Sequence, residues 1–121
     1  MAEFRVAFMA NDYDATVSFF RDMMGCEVLR SFEDGGKGTI LLAANGQIAV
    51  FAPGHGWGSP GVTGATLAWE VADADADHAR IVAAGGVVSS PPTMQPWGHK
   101  NFGVEGPGGW AITLFEIVVP Q

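Results

Sequence analysis

Two halves of this chain carry the same plan at a single offset of 61 residues, and that repetition restricts the fold more than any other feature of the sequence. Arg5 and Thr66, Asp12 and Asp73, Asp14 and Asp75, and Gly25 and Gly86 correspond under it. In the first half, residues 4–8 read as a strand. Asp12 then opens a helix whose apolar positions Tyr13, Val17, Phe20 and Met24 share one face, and Gly25 supplies the left-handed residue that stops it. In the second half, residues 66–69 read as a strand, Asp73 caps a helix with Ala76 and Ile81 on its apolar side, and Gly86 is the stop. Strand-like segments follow each helix, at 27–32, 38–43 and 47–52 and again at 87–89, 100–104 and 110–118. Gly35-Gly36, Asn45-Gly46 and Gly106-Pro107-Gly108-Gly109 are the turn signals between them.

The pattern is β-α-β-β-β twice. It divides the chain into modules of about 1–54 and 62–121, joined by a Gly/Pro-rich loop, within one domain spanning 1–121. A unit of about 55 residues buries too little apolar surface to be stable alone, so the two should share a core. The expected class is α+β: two tandem βαβββ modules forming a concave, partly open barrel-like sheet with the helices outside. The concave side is then the natural place for a ligand.

Composition narrows the partners. Six Lys and Arg against thirteen Asp and Glu give a formal charge of −7, which argues against a nucleic-acid partner. The single cysteine, Cys26, cannot form an internal disulfide, and no stretch has the length of a membrane span or the form of a signal peptide. The expectation is a cytoplasmic protein with no membrane partner.

One stretch is more specific than the repeat. Gln95-Pro96-Trp97-Gly98, followed by Phe102-Gly103-Val104-Glu105-Gly106-Pro107-Gly108-Gly109-Trp110, resembles a signature of the vicinal oxygen chelate superfamily, which contains glyoxalase I, ring-cleaving dioxygenases and bleomycin resistance proteins. The resemblance covers essentially the whole chain, although Glu105-Gly106 departs from the usual residues before Pro107. Enzymes of that superfamily hold a divalent metal on four residues, two from each module. The resemblance carries those positions onto Arg5, Ala49, Thr66 and Thr113. A guanidinium has no lone pair to give, alanine has no donor atom, and a neutral threonine hydroxyl is a weak ligand. The expectation is therefore no metal and no other cofactor.

Other chemistry is thinly represented. His55, His78 and His99 fall on a loop, a helix and a turn and are not spaced to converge on a metal ion. No nucleophile elbow appears, and Cys26 enters a strand, where a buried inert thiol is expected. Glu70 shares strand parity with Thr66 and so points toward the expected ligand side.

Four Trp and eight Phe are a heavy aromatic load for a domain of this size, and several lack an obvious core duty. Trp57 lies in the linker, Trp97 in a Pro-Trp-Gly turn, Phe51 and Phe115 on the ligand-side parity of the last strands, and Phe102 at the start of a strand. One covered ring stabilises a flat ligand by roughly 4–6 kcal/mol at most. Candidate ligand-binding residues are therefore Arg5, Phe51, Trp57, Thr66, Glu70, Trp97, His99, Phe102, Thr113 and Phe115, with no catalytic residue. Arg5 is read either as a ligand contact or as half of an internal salt bridge, with Glu70 as one candidate partner.

The preferred function is a metal-free, homodimeric protein that binds a small aromatic or drug-like molecule, with antibiotic resistance by sequestration as one outcome. The alternative is a glyoxalase-like lyase, isomerase or dioxygenase that uses a non-standard metal site or acid–base residues such as Glu70 or His99.

Overall fold

The structure, a computed structural model, describes residues 2–54 and 59–120. Trp57 and His55 lie outside the described residues. The chain separates into two compact units. Residues 1–63 form the first together with the turn Pro107–Gly109, and residues 64–106 and 110–121 form the second.

The first unit runs β1 (Arg5–Met9), α1 (Tyr13–Ser18), a π-helical turn (Phe19–Met23), β2 (Glu27–Phe32), β3 (Gly38–Ala43) and β4 (Gly46–Phe51). The second runs β5 (Thr66–Glu70), α2 (Ala74–Ala83), β6 (Val87–Met94), β7 (His99–Glu105) and β8 (Ala111–Ile117). Each makes a mixed four-stranded sheet, ordered β1-β4-β3-β2 and β5-β8-β7-β6, in which the first and last strands are parallel neighbours. The crossover that parallel pairing demands is supplied by the helix and the two strands that follow it.

The two βαβββ modules are therefore present, but the expected barrel-like sheet is not. Among the described residues no strand of one sheet pairs with a strand of the other, and neither sheet closes or curls. The edges explain this. A barrel requires edge strands to exchange hydrogen bonds. β6 carries Pro91 and Pro92, which have no N–H to offer, and its register shifts between Ser90 and Thr93. The register of β2 shifts between Val28 and Arg30, and Glu27 and Arg30 are exposed along it.

Both helices begin as their sequences direct. The Asp12 carboxylate accepts the Ala15 N–H and the Asp73 carboxylate the Ala76 N–H, each at 3.0 Å. Their ends differ. The left-handed residue after α2 is Gly85 (φ +88°) rather than Gly86. The Gly85 N–H donates to Val82 and the Gly86 N–H to Ile81, a Schellman arrangement. After α1 it is Gly25 (φ +74°). The repeat is thus one residue longer in the first module between cap and stop, and the π-helical turn at Phe19–Met23 absorbs the excess.

In the first unit, Phe20 is fully buried at the centre of the face beneath the helix, edge-on to Phe8 and Phe19. In the second, Phe102, Val104, Ile112 and Leu114 form the helix-covered face, with Ile81 of α2 among the buried side chains. The Glu116 carboxylate accepts the Ala74 N–H at 2.9 Å, tying β8 to the first turn of α2. Asp75 pairs with Lys100 of β7 at 2.7 Å and raises the lysine above its ordinary pKa, chiefly through that hydrogen bond.

Candidate functional site

Strand alternation leaves each sheet one face without a helix. In the second unit that face carries Thr66, Ala68 and Glu70 of β5, Ala111, Thr113, Phe115 and Ile117 of β8, and His99, Asn101 and Gly103 of β7. Glu70 and Asn101 flank Phe115 as its two cross-strand partners. His99 stands diagonally from Phe115, close enough for rings to meet. The two rings stack with centroids 4.9 Å apart and planes 8° from parallel.

The β6–β7 hairpin completes the array. The Gly98 N–H donates to the Gln95 carbonyl at 3.0 Å across a turn with Pro96 at its second position, where a fixed φ is favoured. Gly98 then takes φ +91°, and the Gln95 N–H donates to the His99 carbonyl at 2.7 Å, so the hairpin closes with a one-residue bulge. This turn holds Trp97 edge-on to His99, with centroids 6.4 Å apart. Trp97 remains 48% exposed, an unusual state for the largest side chain. The Gln95 side-chain amide donates to the Asn101 side-chain oxygen at 3.0 Å and orders the polar margin. Trp97, His99 and Phe115 thus form one aromatic run, with Glu70 and the Gln95–Asn101 pair beside it.

The other candidate residues are placed elsewhere. Phe102 is 1% exposed, on the helix-covered face, edge-on to His78 at 5.3 Å. Phe51 lies in the first unit, edge-on to Phe32 at 5.6 Å, and the two rings close over Gly38, where an added Cβ would come within 2.6 Å of Phe32. Arg5 also belongs to the first unit and is exposed there. Its guanidinium donates to Gln47 at 2.7 Å and to Glu3 at 2.9 Å, so its partners are these and not Glu70.

Asn101, Gln95 and Gln47 were not singled out from the sequence. The first two carry no signal until the β7–β8 register is known, which sets Asn101 opposite Phe115. Gln47 becomes visible only as the cross-strand partner of Arg5.

The four positions that the resemblance carries over from the superfamily's metal enzymes do not fit a metal here. Arg5 is a cation already committed to Glu3 and Gln47. Thr66 donates its hydroxyl to the Ala111 carbonyl at 2.6 Å. Ala49 is buried and has no donor atom, and Thr113 offers a single neutral hydroxyl. Among the described residues no three His, Cys, Asp or Glu side chains stand together as a metal site. The Cys26 thiol is buried, which pushes its pKa up from 9.0 to about 11 and keeps it protonated. No helix among the described residues is long and apolar enough to cross a membrane.

Solved structures of similar fold include both binding proteins and enzymes. TioX from Micromonospora sp. ML1 superposes with a TM-score of 0.80 at 20% identity, over 97% of this chain and 99% of that one. TnmS3, an antibiotic binding protein from Streptomyces sp. CB03234, gives 0.76 at 20% identity over 97% and 96%. Lactoylglutathione lyase from Agrobacterium tumefaciens gives 0.72 at 20% identity over 95% and 92%. At such identities the likeness establishes the fold alone. No curated protein sequence matches the chain. The family model described as Glyoxalase/Bleomycin resistance protein/Dioxygenase superfamily matches residues 4–114, and the chain belongs to that superfamily.

Proposed function

We propose that this protein binds a small, flat aromatic or drug-like molecule without a metal ion, and that the helix-free face of the second unit is where it binds. The observation that carries this reading is the stacked His99–Phe115 pair with Trp97 held edge-on beside it and left half exposed. A flat ring that covers Trp97 removes apolar surface from water, at a gain of roughly 4–6 kcal/mol as an upper limit. A second covered ring, from the His99–Phe115 pair, adds a comparable gain. Ordering costs reduce the sum, and micromolar affinity is the expected scale. Glu70, Thr113 and the Gln95–Asn101 pair supply acceptors and donors around the rings, and Thr66 extends the same face.

The fold likeness to an antibiotic binding protein supports this reading, and the missing ligand donors at Arg5, Ala49, Thr66 and Thr113 support it over the lyase reading. Antibiotic sequestration is the biological role most consistent with binding without turnover. The chain is read as one domain of the family, because a single match runs through both units. A homodimer is part of the proposal and is tested by sedimentation equilibrium, where a monomer at micromolar concentration refutes it.

A thermal-shift screen of polycyclic aromatic antibiotics tests the binding itself. At least one compound should raise the unfolding temperature and quench tryptophan fluorescence saturably. Trp97→Ala should weaken that affinity by about ten-fold or more, the loss expected when an exposed stacking ring is removed. Unchanged affinity in Trp97→Ala, or no stabilising compound in the panel, would refute the assignment of this face.

A further inference from the structure

We propose that the first unit carries a second small-molecule site, a cleft of about 440 Å³ between α1 and the β2–β3 hairpin, suited to a neutral, hydroxyl-rich molecule of monosaccharide size. It lies on the helix side of the first sheet and shares no residue with the aromatic run of the second unit.

The cleft exists because the two modules seat their helices differently. α2 packs against β6, β7 and β8 and so reaches the outermost strand of its sheet. α1 packs chiefly on β4, the strand beside β1, and the space toward the β2 edge is left open. Volumes of this size are typical of sites that enclose small ligands.

The floor of the cleft is a chain of hydroxyls. Thr39 is 3% exposed, and its hydroxyl meets that of Tyr13 on one side and that of Ser31, at 3.0 Å, on the other. A hydroxyl donates once and accepts twice, so the outer members of this chain keep capacity for a further partner that can both donate and accept. The hydroxyl groups of a sugar or polyol have that dual character. Val17 adds apolar wall for the C–H face of such a ring.

The charges exclude the simplest alternatives. Arg21 and Lys37 are balanced along the lining by Asp14 and Glu33. Arg21 is further held by Asp22 through two contacts of 2.8 Å, and Lys37 lies 4.9 Å above the Tyr13 ring and 3.9 Å from Asp14. An anion would meet Asp14 and Glu33, and a cation would meet Arg21 and Lys37. A neutral ligand can take donors from one pair and acceptors from the other without displacing an ion pair.

Amide chemical shifts of the intact protein, titrated with methyl α-glucoside, methyl α-mannoside, methyl β-galactoside and myo-inositol, test the proposal. At least one compound should move amides within residues 13–21 and 31–39 saturably and leave residues 95–101 unmoved. Ser31→Ala and Glu33→Gln should each weaken binding about five-fold, the scale of one lost hydrogen bond. Glu33→Gln should leave the unfolding midpoint unmoved, and Ser31→Ala, which also breaks the bond to Thr39, should lower stability by no more than that same scale, about 1 kcal/mol. No saturable shift with any of the four compounds would overturn the site. Saturable shifts with sodium sulfate or glycine while the polyols stay silent would overturn its ligand class. Polyol binding that persists unchanged in both variants would overturn its location.

Discussion

Replacing Gly98 by alanine tests how the Pro-Trp-Gly turn is held. Gly98 sits at φ +91°, and a side chain in left-handed backbone costs roughly 1–2 kcal/mol. An added Cβ would also lie 2.5 Å from the Val119 carbonyl oxygen and 2.9 Å from the Val119 Cβ. The nearer of these is backbone, so it cannot swing aside as a side-chain tip does. The segment after β8 must lift instead. That segment is held by the Val118 and Val119 N–H groups, which both donate to the Gly98 carbonyl at 3.0 Å. Losing them costs about 1 kcal/mol each. The two contributions together give about 3–4 kcal/mol, of which the hydrogen-bond part cannot exceed the cost of freeing the chain end. Urea unfolding followed by tryptophan fluorescence measures the sum, and a fall in melting temperature of about 12–16 °C is the thermal equivalent. Hydrogen exchange at Val118 and Val119 locates it. A midpoint within about 0.5 kcal/mol of the parent, with those amides still protected, would refute the reasoning.

Further outcomes follow from burial, capping and ionisation. Ile81→Ala removes a fully buried side chain beneath α2 and should cost about 2–4 kcal/mol, whereas Val82→Ala, at 48% exposure, should stay within about 0.5 kcal/mol in the same denaturation experiment. Asp73→Ala removes the acceptor of the Ala76 N–H and should cost about 1 kcal/mol by the same measurement. Cys26 holds its proton in the folded protein up to about pH 11, while the unfolded chain releases it near 9.0. Its contribution to stability is therefore full below pH 9 and lost as pH rises toward 11, because the folded state then binds more protons than the unfolded one. The urea midpoint of the parent should fall more steeply over that range than that of Cys26→Ala, and equal slopes would contradict it.

The parts of the fold legible in the sequence were those fixed by local chemistry. Asp12 and Asp73 cap helices where their spacing places them, because a capping carboxylate needs only its own next few amides. The strands at Glu27–Phe32 and Gly38–Ala43 fall where alternation and turns put them. What escaped depends on neighbours. A strict offset equates Gly86 with Gly25, but the π-helical turn lengthens the first helix, so the structural equivalent is Gly85. From the sequence, a strand is expected only at 87–89, ahead of Pro91 and Pro92. β6 nevertheless continues to Met94, because an edge strand has a side that needs no N–H. The barrel expectation failed for a related reason: the repeat reveals each sheet's strands but not whether their edges can pair.

The arrangement of the candidate site was legible in part. Parity placed Glu70, Thr113 and Phe115 on one face, and the turn singled out Trp97 and His99. Phe102 was drawn into the same list by its residue type, but its alternation with Asn101 and Gly103 turns it beneath α2. The cleft beside α1 had no sequence signal at all, since Tyr13, Ser31 and Thr39 meet only after helix and hairpin are docked.

Ligand binding with and without chelator tests the central claim most directly. The most stabilising aromatic compound from the thermal-shift screen, titrated calorimetrically in excess EDTA and again with added Mn, Ni or Zn, should bind with the same affinity throughout. Binding that vanishes in EDTA and returns with one of those ions would contradict it.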